Sequence, residues 1–521
     1  MLKGLTLTNF KPFGEGQSIR LAPITLIYGP NSSGKSSIIQ SLLMMRQTLS
    51  SRQSGGKRKL VTNGEFINLG GYLSLIHKHE IRRKLILKYR FSENFRSIRN
   101  EFVEEISLQF GAHTTNSDRL EATLDKISFE ANRNGIPINF SLVRKSDSSS
   151  EMNEEYEATG EDDFPEGENF KFDHILKEDL SKFIELVYYA DSRNNPPGNA
   201  IPTIEEIEKN VRFYKKLVNW VSFNSSSLGE PEFLSLKQRY PSSYMPSASK
   251  SQESSFEPRY LPGFMQLFFA YQRLLKKTVG GMSYLGPLRA HPERIYSLET
   301  SISNTVGSQG QRAIQLLYQN SRSTSESEFY LNRLNEIAKK FEIPYTFKLT
   351  PLTEKVAGEY VVLELLDTRT GVSVSPTDVG FGIGQLLPIL IEGLVASERN
   401  SNIVCVEQPE IHLHPRLQAS LADFFIDTSI PLRQRNSQNN RNRELVQWIL
   451  ETHSEALIMR IQRRIREKRL SPSDVSVLYV APMGESGSQV KDLRLDESGE
   501  FIDLWPDGFF VEGLQELLGG Y

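Results

Sequence analysis

The chain opens on alternating apolar and polar positions through residues 2 to 10, and the apolar run Pro23-Ile24-Thr25-Leu26-Ile27-Tyr28 stops at Gly29. Alternation and a short bounded apolar run both predict strands, so two strands lead into the glycine. From Lys35 the apolar positions Ile38, Ile39, Leu42, Met45 and Leu49 recur at helical spacing, with Ser36 and Ser37 in the first turn. The predicted order is strand, glycine loop, helix. Alternation returns between about 80 and 140 (Leu85, Leu87, Tyr89, Phe91), which predicts an antiparallel accessory sheet. Two segments of helical periodicity follow, Ile175 to Tyr189 and Ile204 to Val221. They sit among an acidic run, Glu151 to Glu168, and a serine- and proline-rich stretch over residues 222 to 257. The polar stretches have the composition of disordered surface loops, and the helical segments hold no heptad register long enough for a coiled-coil arm. Regular patterning resumes at Ser283-Tyr284-Leu285-Gly286-Pro287-Leu288-Arg289. The expectation is an α/β protein in three parts: a lobe over 1–140, a mainly helical insertion over 141–280 and a second lobe over 281–521.

Chemistry enters at the glycine loop, Gly29-Pro30-Asn31-Ser32-Ser33-Gly34-Lys35-Ser36. Glycines at its two ends let the backbone wrap a phosphate chain, and the amides of Asn31, Ser32 and Ser33 and the helix N-terminus at Ser36 and Ser37 meet the negative charge. Lys35 reaches the terminal phosphates and the Ser36 hydroxyl faces Mg²⁺, so ATP and Mg²⁺ are the expected ligands. A second constellation is Ile403-Val404-Cys405-Val406-Glu407-Gln408-Pro409-Glu410, an apolar strand ending in acids. A central parallel strand delivers such an acid to the sheet edge where phosphates bind, which makes Glu407 the metal-side carboxylate. Upstream, Asp378-Val379-Gly380-Phe381-Gly382-Ile383-Gly384-Gln385 is a second glycine-rich segment opening a helix, with backbone donors to offer an anion. Downstream come His412-Leu413-His414-Pro415 and a strand, Val446 to Leu450, that leads to Thr452-His453-Ser454.

Composition narrows the setting. The 521 residues are 38% hydrophobic, enough for two to four domains with a buried core. A lone cysteine, Cys405, excludes a disulfide framework and a Cys-Cys zinc site, and suits a reducing cytoplasmic compartment. No signal peptide and no run approaching the ~20 apolar residues of a membrane span is present, so no membrane partner is expected. A net charge of -3 leaves DNA contact to local patches. Arg460, Arg463, Arg464, Arg466, Lys468 and Arg469 crowd one predicted helix, and Arg52, Lys57, Arg58 and Lys59 follow the first one. Such runs are usually solvated faces, here above apolar Leu457, Ile458, Ile461 and Ile465. The basic stretch Arg433 to Arg443 is a predicted loop, and the aromatic segment Leu504 to Phe510 is expected to pack back onto the core.

The five elements in this order resemble the ABC-type ATPase head of the SMC, RecF and OLD families, over roughly 1–50 and 280–521. Leu7-Thr8-Asn9-Phe10-Lys11-Pro12-Phe13 is similar to the first strand of those heads. Carried over by position, Gly29 to Ser36 is the Walker A loop, Gly380 to Gln385 the signature loop, Glu407 the Walker B acid, His412 to Pro415 the D-loop and His453 the switch histidine. The "GPLR", "EQPE" and "ETHSE" segments resemble those of bacterial single-chain ATPases of anti-phage systems such as Septu and the retron-associated ones. The resemblance implies a head with a mixed central sheet and a head-to-tail dimer, in which the signature amides of Gly382 and Gly384, with Gln385 and His414, complete the partner's ATP site. Three departures shape the functional expectation. The signature lacks its usual serine. Gln408 stands where such heads carry the catalytic glutamate, and an amide cannot accept a proton from the attacking water, so hydrolysis is expected to be slow unless Glu410 substitutes. The chain ends about 70 residues after His453 without a nuclease domain. The expectation is a regulatory ATPase that switches a separate effector, with a nuclease as the expected one. The alternative is a RecF-like DNA-binding repair ATPase, and a transporter subunit is disfavoured by the insertion. Gln309 and Gln311 are candidates for a Q-loop residue, although a polar turn explains them equally.

Overall fold

A computed structural model of the protein describes residues 1–51, 59–92, 102–114, 120–133, 136–144, 170–171, 274–298, 304–323, 329–354, 358–396, 403–430 and 445–506. The alternating N-terminal segment forms strand β1 (Leu2–Thr8), followed by β2 (Gln17–Arg20) and by β3 (Ile24–Tyr28), whose five residues are all buried. Helix α1 (Lys35–Ser50) follows the glycine loop. The chain divides into two compact units, one of Met1–Lys3, Pro12–Leu43 and Lys277–Tyr521, the other of Gly4–Lys11 and Met44–Lys276.

The second unit is built on the accessory sheet. A one-turn helix α2 (Tyr72–Leu75) precedes β4 (Leu85–Phe91), β5 (Phe102–Thr114), β6 (Leu120–Arg133) and β7 (Ile136–Arg144), which pair antiparallel in sequence order. In β4, Leu85, Leu87, Tyr89 and Phe91 are buried and the residues between them are not. This period-two pattern is what an antiparallel sheet with one packed face requires. β7 runs past residue 140 and pairs with the short β8 (Phe170–Lys171). The sheet therefore continues into the stretch expected to be a helical insertion. The expected helices at Ile175 to Tyr189 and Ile204 to Val221 lie outside the described residues.

The first unit carries the parallel sheet. Its strand order is β17-β16-β3-β15-β14-β9, with β9 (Ser283–Leu285), β14 (Ile403–Glu407), β15 (Gln447–Glu451), β16 (Val475–Pro482) and β17 (Ser488–Asp492). β9, β14, β15, β3 and β16 run parallel and β17 closes the edge antiparallel, so the sheet is mixed. β3 pairs with β15 and β16, strands from the C-terminal third. The Walker A stretch therefore groups with 277–521 and not with the rest of the expected 1–140 lobe. A small antiparallel sheet of β10 (Tyr296–Ser297), β11 (Tyr345–Glu354), β12 (Gly358–Asp367) and β13 (Ser373–Val374) belongs to the same unit. Five longer helices accompany these strands: α3 (Ala313–Ser323), α4 (Phe329–Lys340), α5 (Phe381–Ala396), α6 (Pro415–Ser429) and α7 (Glu455–Arg466). Trp448 on β15 packs against Phe424 and Phe425 of α6 at centroid distances of 6.0 and 4.7 Å.

Helix α7 resolves the basic cluster. Leu457, Ile458, Ile461 and Ile465 are buried beneath it, and each of the six cations has an acid. Arg460 and Arg464 both bind Asp423, at 2.5 Å each. Arg463 and Arg464 reach Glu467, Arg466 reaches Glu500, Lys468 lies 4.0 Å from Glu497 and Arg469 lies 3.9 Å from Asp427. Burial raises the Asp423 carboxyl, but hydrogen bonds and charge from Arg464 and Arg460 outweigh it and hold the group below the usual carboxylate range. A pKa lower in the folded chain means that this contribution is complete above the unfolded value and fades as the pH falls through the folded one. Asp423→Asn is therefore expected to cost about 1–2 kcal/mol at neutral pH. In thermal melting, the gap from the parent should narrow below pH ~4.

Candidate nucleotide site

The glycine loop begins where β3 ends. Gly29 has φ +143°, and a Cβ there would lie 2.4 Å from the Val480 carbonyl oxygen; Gly34 has φ +101°, and its Cβ would lie 2.5 Å from Pro12 Cγ. Both positions combine a left-handed backbone with contact on a neighbour, which only glycine accommodates. Ser32 between them also has positive φ, at 61°. Lys35, 5% exposed, donates from Nζ to the carbonyls of Gly29 and Pro30 at 3.0 and 2.8 Å. Burial lowers the pKa of its ammonium and the charge of Glu451 opposes that shift. The Ser33 hydroxyl is buried within the loop without a hydrogen-bond partner.

Parallel pairing brings the carboxylates to this edge. Glu407 is the last residue of β14, Glu451 the last of β15, and the two are register partners. The Tyr284 hydroxyl, on neighbouring β9, donates to Glu407 Oε1 at 3.0 Å. Burial, reinforced by repulsion from Glu451, pushes Glu407 up to about 7, and the Tyr284 bond works against it. Glu451 is 5% exposed; burial raises its pKa, and a hydrogen bond with the Ser36 side chain and the Lys35 charge oppose that. Its Oε2 has no partner. Glu451 was not among the residues singled out from the sequence.

Gln408 and Glu410 are placed differently. Gln408 has φ +48°, and its amide donates to the Glu451 carbonyl at 2.7 Å. Both carboxylate oxygens of Glu410 are engaged, Oε2 by the Thr452 hydroxyl at 2.8 Å and Oε1 by the His453 amide at 2.7 Å. Glu410 thus ties the turn after β14 to the turn after β15 and sets the backbone of His453. Burial and the Lys35 charge lower the pKa of the His453 ring. Arg289, from the Gly286-Pro287-Leu288-Arg289 turn, lies beside the same edge. It is 5% exposed, donates to the Glu407 carbonyl at 3.1 Å and to Gln385 Oε1 at 3.4 Å, and keeps a buried Nε without a partner. Burial lowers its pKa to about 10 against the pull of Glu410. "GPLR" drew attention in the sequence, but no functional role was assigned to its arginine.

Walker A, Glu407, Gln408, Glu410 and His453 thus share the C-terminal edge of β3, β14 and β15. The residues expected in the signature stand apart. α5 starts at Phe381, so Gly382, Gly384 and Gln385 lie in its first turns. Gly384 is buried, with an added Cβ only 2.7 Å from Pro292 Cγ, and Gln385 is 1% exposed with its side chain on Arg289. Both face this chain's interior, which leaves Gly382, half-buried beside the His412 carbonyl, as the signature glycine nearer the surface. The Phe381 ring stands between His291 and His412 at centroid distances of 5.0 and 4.9 Å. His414 is the N-cap of α6, its Nδ1 accepting from the Arg416 amide at 3.3 Å. Gln309 and Gln311 form a local turn, the Gln309 amide donating to Gln311 Oε1 at 3.0 Å. Among the described residues, no helix is long and apolar enough to cross a membrane.

None of the curated proteins matches this chain. Among solved structures it is similar to the Smc head bound to the C-winged helix domain of ScpA, at 14% identity over 95% of this chain and 98% of that one, with a TM-score of 0.38. It is also similar to an Smc head with an extended coiled coil, bound to the C-terminal domain of ScpA and derived from Pyrococcus furiosus (14% identity, 99% and 98% covered, TM-score 0.36). The SMC head domain from Thermotoga maritima is a third (10% identity, 95% and 99% covered, TM-score 0.34). A family model described as an AAA ATPase domain (AAA_15) matches residues 1–458, a span that contains the glycine loop, Tyr284, Arg289, Glu407 and His453. With that match over most of its length, the chain belongs to the AAA ATPase domain family.

Proposed function

We propose that this AAA ATPase holds ATP more than it consumes it. In this reading two chains close head to tail on shared nucleotides, and the closed state controls a separate effector, a nuclease, in a cytoplasmic anti-phage system of a prokaryote. The observation that carries the proposal is Gln408 at the place of the general base, combined with a Glu410 whose oxygens are both committed to Thr452 and His453. An amide can orient a water molecule but takes no proton from it, and Glu410 would have to give up two hydrogen bonds to act in its place.

The donor set fits Mg²⁺: a buried carboxylate, a half-buried one and a serine hydroxyl are hard oxygen ligands, and phosphate oxygens and water supply the rest at such sites. Ser36 and Glu407 would hold the ion, which when bound neutralises charge on the β- and γ-phosphates. The protein's own part is to wrap the phosphates with the loop amides and bring the Lys35 charge to them. The Tyr284 bond fixes Glu407. Helix α7 gives a DNA-clamp reading no support, because its cations are already paired with acids, and Lys59 pairs with Glu121; Arg52, Lys57 and Arg58 lie outside the described residues. Sedimentation of the full chain with a non-hydrolysable ATP analogue, ADP or no nucleotide tests the proposal alongside phosphate release. Self-association with the analogue alone and turnover well below ~1 per second are expected. Turnover at or above that rate, or a monomer under all three conditions, would overturn it.

A further inference from the structure

Two acidic residues at this sheet edge differ in a way their sequence neighbourhoods conceal. Glu410 has a donor on each oxygen, as a half-buried carboxylate with a structural task should. Glu451 interacts with the Ser36 side chain but keeps its Oε2 without a partner, although it is 95% buried and is the register partner of a second, half-buried carboxylate. Two carboxylates at neighbouring strand ends, one with an unpartnered buried oxygen, either hold a proton or recruit a cation. We infer that Glu451 is a second carboxylate ligand on the cation side of the ATP site, sharing a divalent ion with Ser36 and Glu407.

The Ser36 side chain beside Glu451 favours this role over that of a substitute general base. In a phosphate-binding loop this hydroxyl faces the metal, so a carboxylate bonded to it lies on the metal side of the phosphates and not behind the terminal one, where water attacks. No three of His, Cys, Asp or Glu gather as a metal-binding group among the described residues. Two carboxylates and a hydroxyl therefore make a site completed by nucleotide, and the ion should bind tightly only with ATP present.

The inference rests on the ATP-site reading, and the test separates the two. Full-length parent and Glu451→Gln are titrated with Mn²⁺ by electron paramagnetic resonance, with and without a non-hydrolysable ATP analogue. Binding of a fluorescent ATP analogue in EDTA reports the fold and the metal-free site. Glu451→Gln is expected to bind Mn²⁺ about 10- to 100-fold more weakly in the ternary complex, with metal-free nucleotide binding unchanged or tighter. Unaltered Mn²⁺ affinity in a variant that still binds nucleotide would overturn the inference alone. A parent that binds no nucleotide would overturn the ATP-site reading with it. Should Glu451→Gln not fold, Glu451→Asp keeps the charge and shortens the reach. Its Mn²⁺ affinity should then fall by a smaller factor, and an unaltered value overturns the inference in the same way.

Discussion

Glutamate in place of Gln408 is expected to raise steady-state ATP turnover about 100-fold, the lower end of what a positioned general base contributes. The substitution is nearly isosteric, and the position is prepared for it. The backbone at 408 is held at φ +48° by its own amide bond to the Glu451 carbonyl, so the new carboxylate inherits the aim of the amide. Phosphate release by the purified variant, compared with parent and Gln408→Ala, measures the gain. Glu410→Gln in the parent supplies the counterpart. If Glu410 were the working base, that change would abolish turnover and Gln408→Glu would add little, and the slow-ATPase reading would fall.

Lys35→Ala should remove ATP binding almost completely. The ammonium is the one group that brings a positive charge into the loop while also bridging the Gly29 and Pro30 carbonyls. Losing charge-assisted bonds of ~1.5–3 kcal/mol each corresponds to an affinity at least ~100-fold weaker. Arginine should not rescue it, because a planar fork does not fit a site shaped for a compact ammonium. Calorimetric titration with ATP and Mg²⁺ provides the check, and a dissociation constant within threefold of the parent would contradict the assignment of the loop.

The loop, its flanking strand and its helix were legible because each rests on local pattern: a short, mainly apolar run, two glycines at fixed spacing, and helical periodicity after Lys35. The accessory sheet was legible for the same reason, Leu85 to Phe91 alternating as an antiparallel strand must. Glu451 was passed over because locally it only ends a strand. Its meaning comes from lying beside Glu407, and β14 and β15 are neighbours through a parallel pairing that local periodicity does not encode. Arg289 is similar: a basic residue after a glycine-proline turn reads as exposed until the fold buries it among Glu407, Gln385 and Tyr284. The basic helix was read correctly as a solvated face above apolar positions, but the acids that pair its cations were out of sight. Six cations are visible along one segment, whereas Asp423, Asp427, Glu497 and Glu500, which answer four of them and part of a fifth, come from α6 and from the chain beyond β17. The boundary at 140 rested on a change in composition, and β7 runs past it to Arg144 because a strand's end is not marked by composition.

Trp505 packs edge-on against Tyr28 at 5.4 Å, against Phe501 at 5.0 Å and against Tyr479 at 6.1 Å. Tyr28 is the residue before Gly29. An indole thus stands one ring away from the hinge of the phosphate loop, on the segment whose aromatic character first marked it as packing inward. Trp448, by contrast, is sealed between β15 and α6. The protein therefore carries its own optical probe: emission from Trp505, isolated by comparison with Trp505→Phe, should shift when the loop closes on nucleotide and let closure be timed without a label.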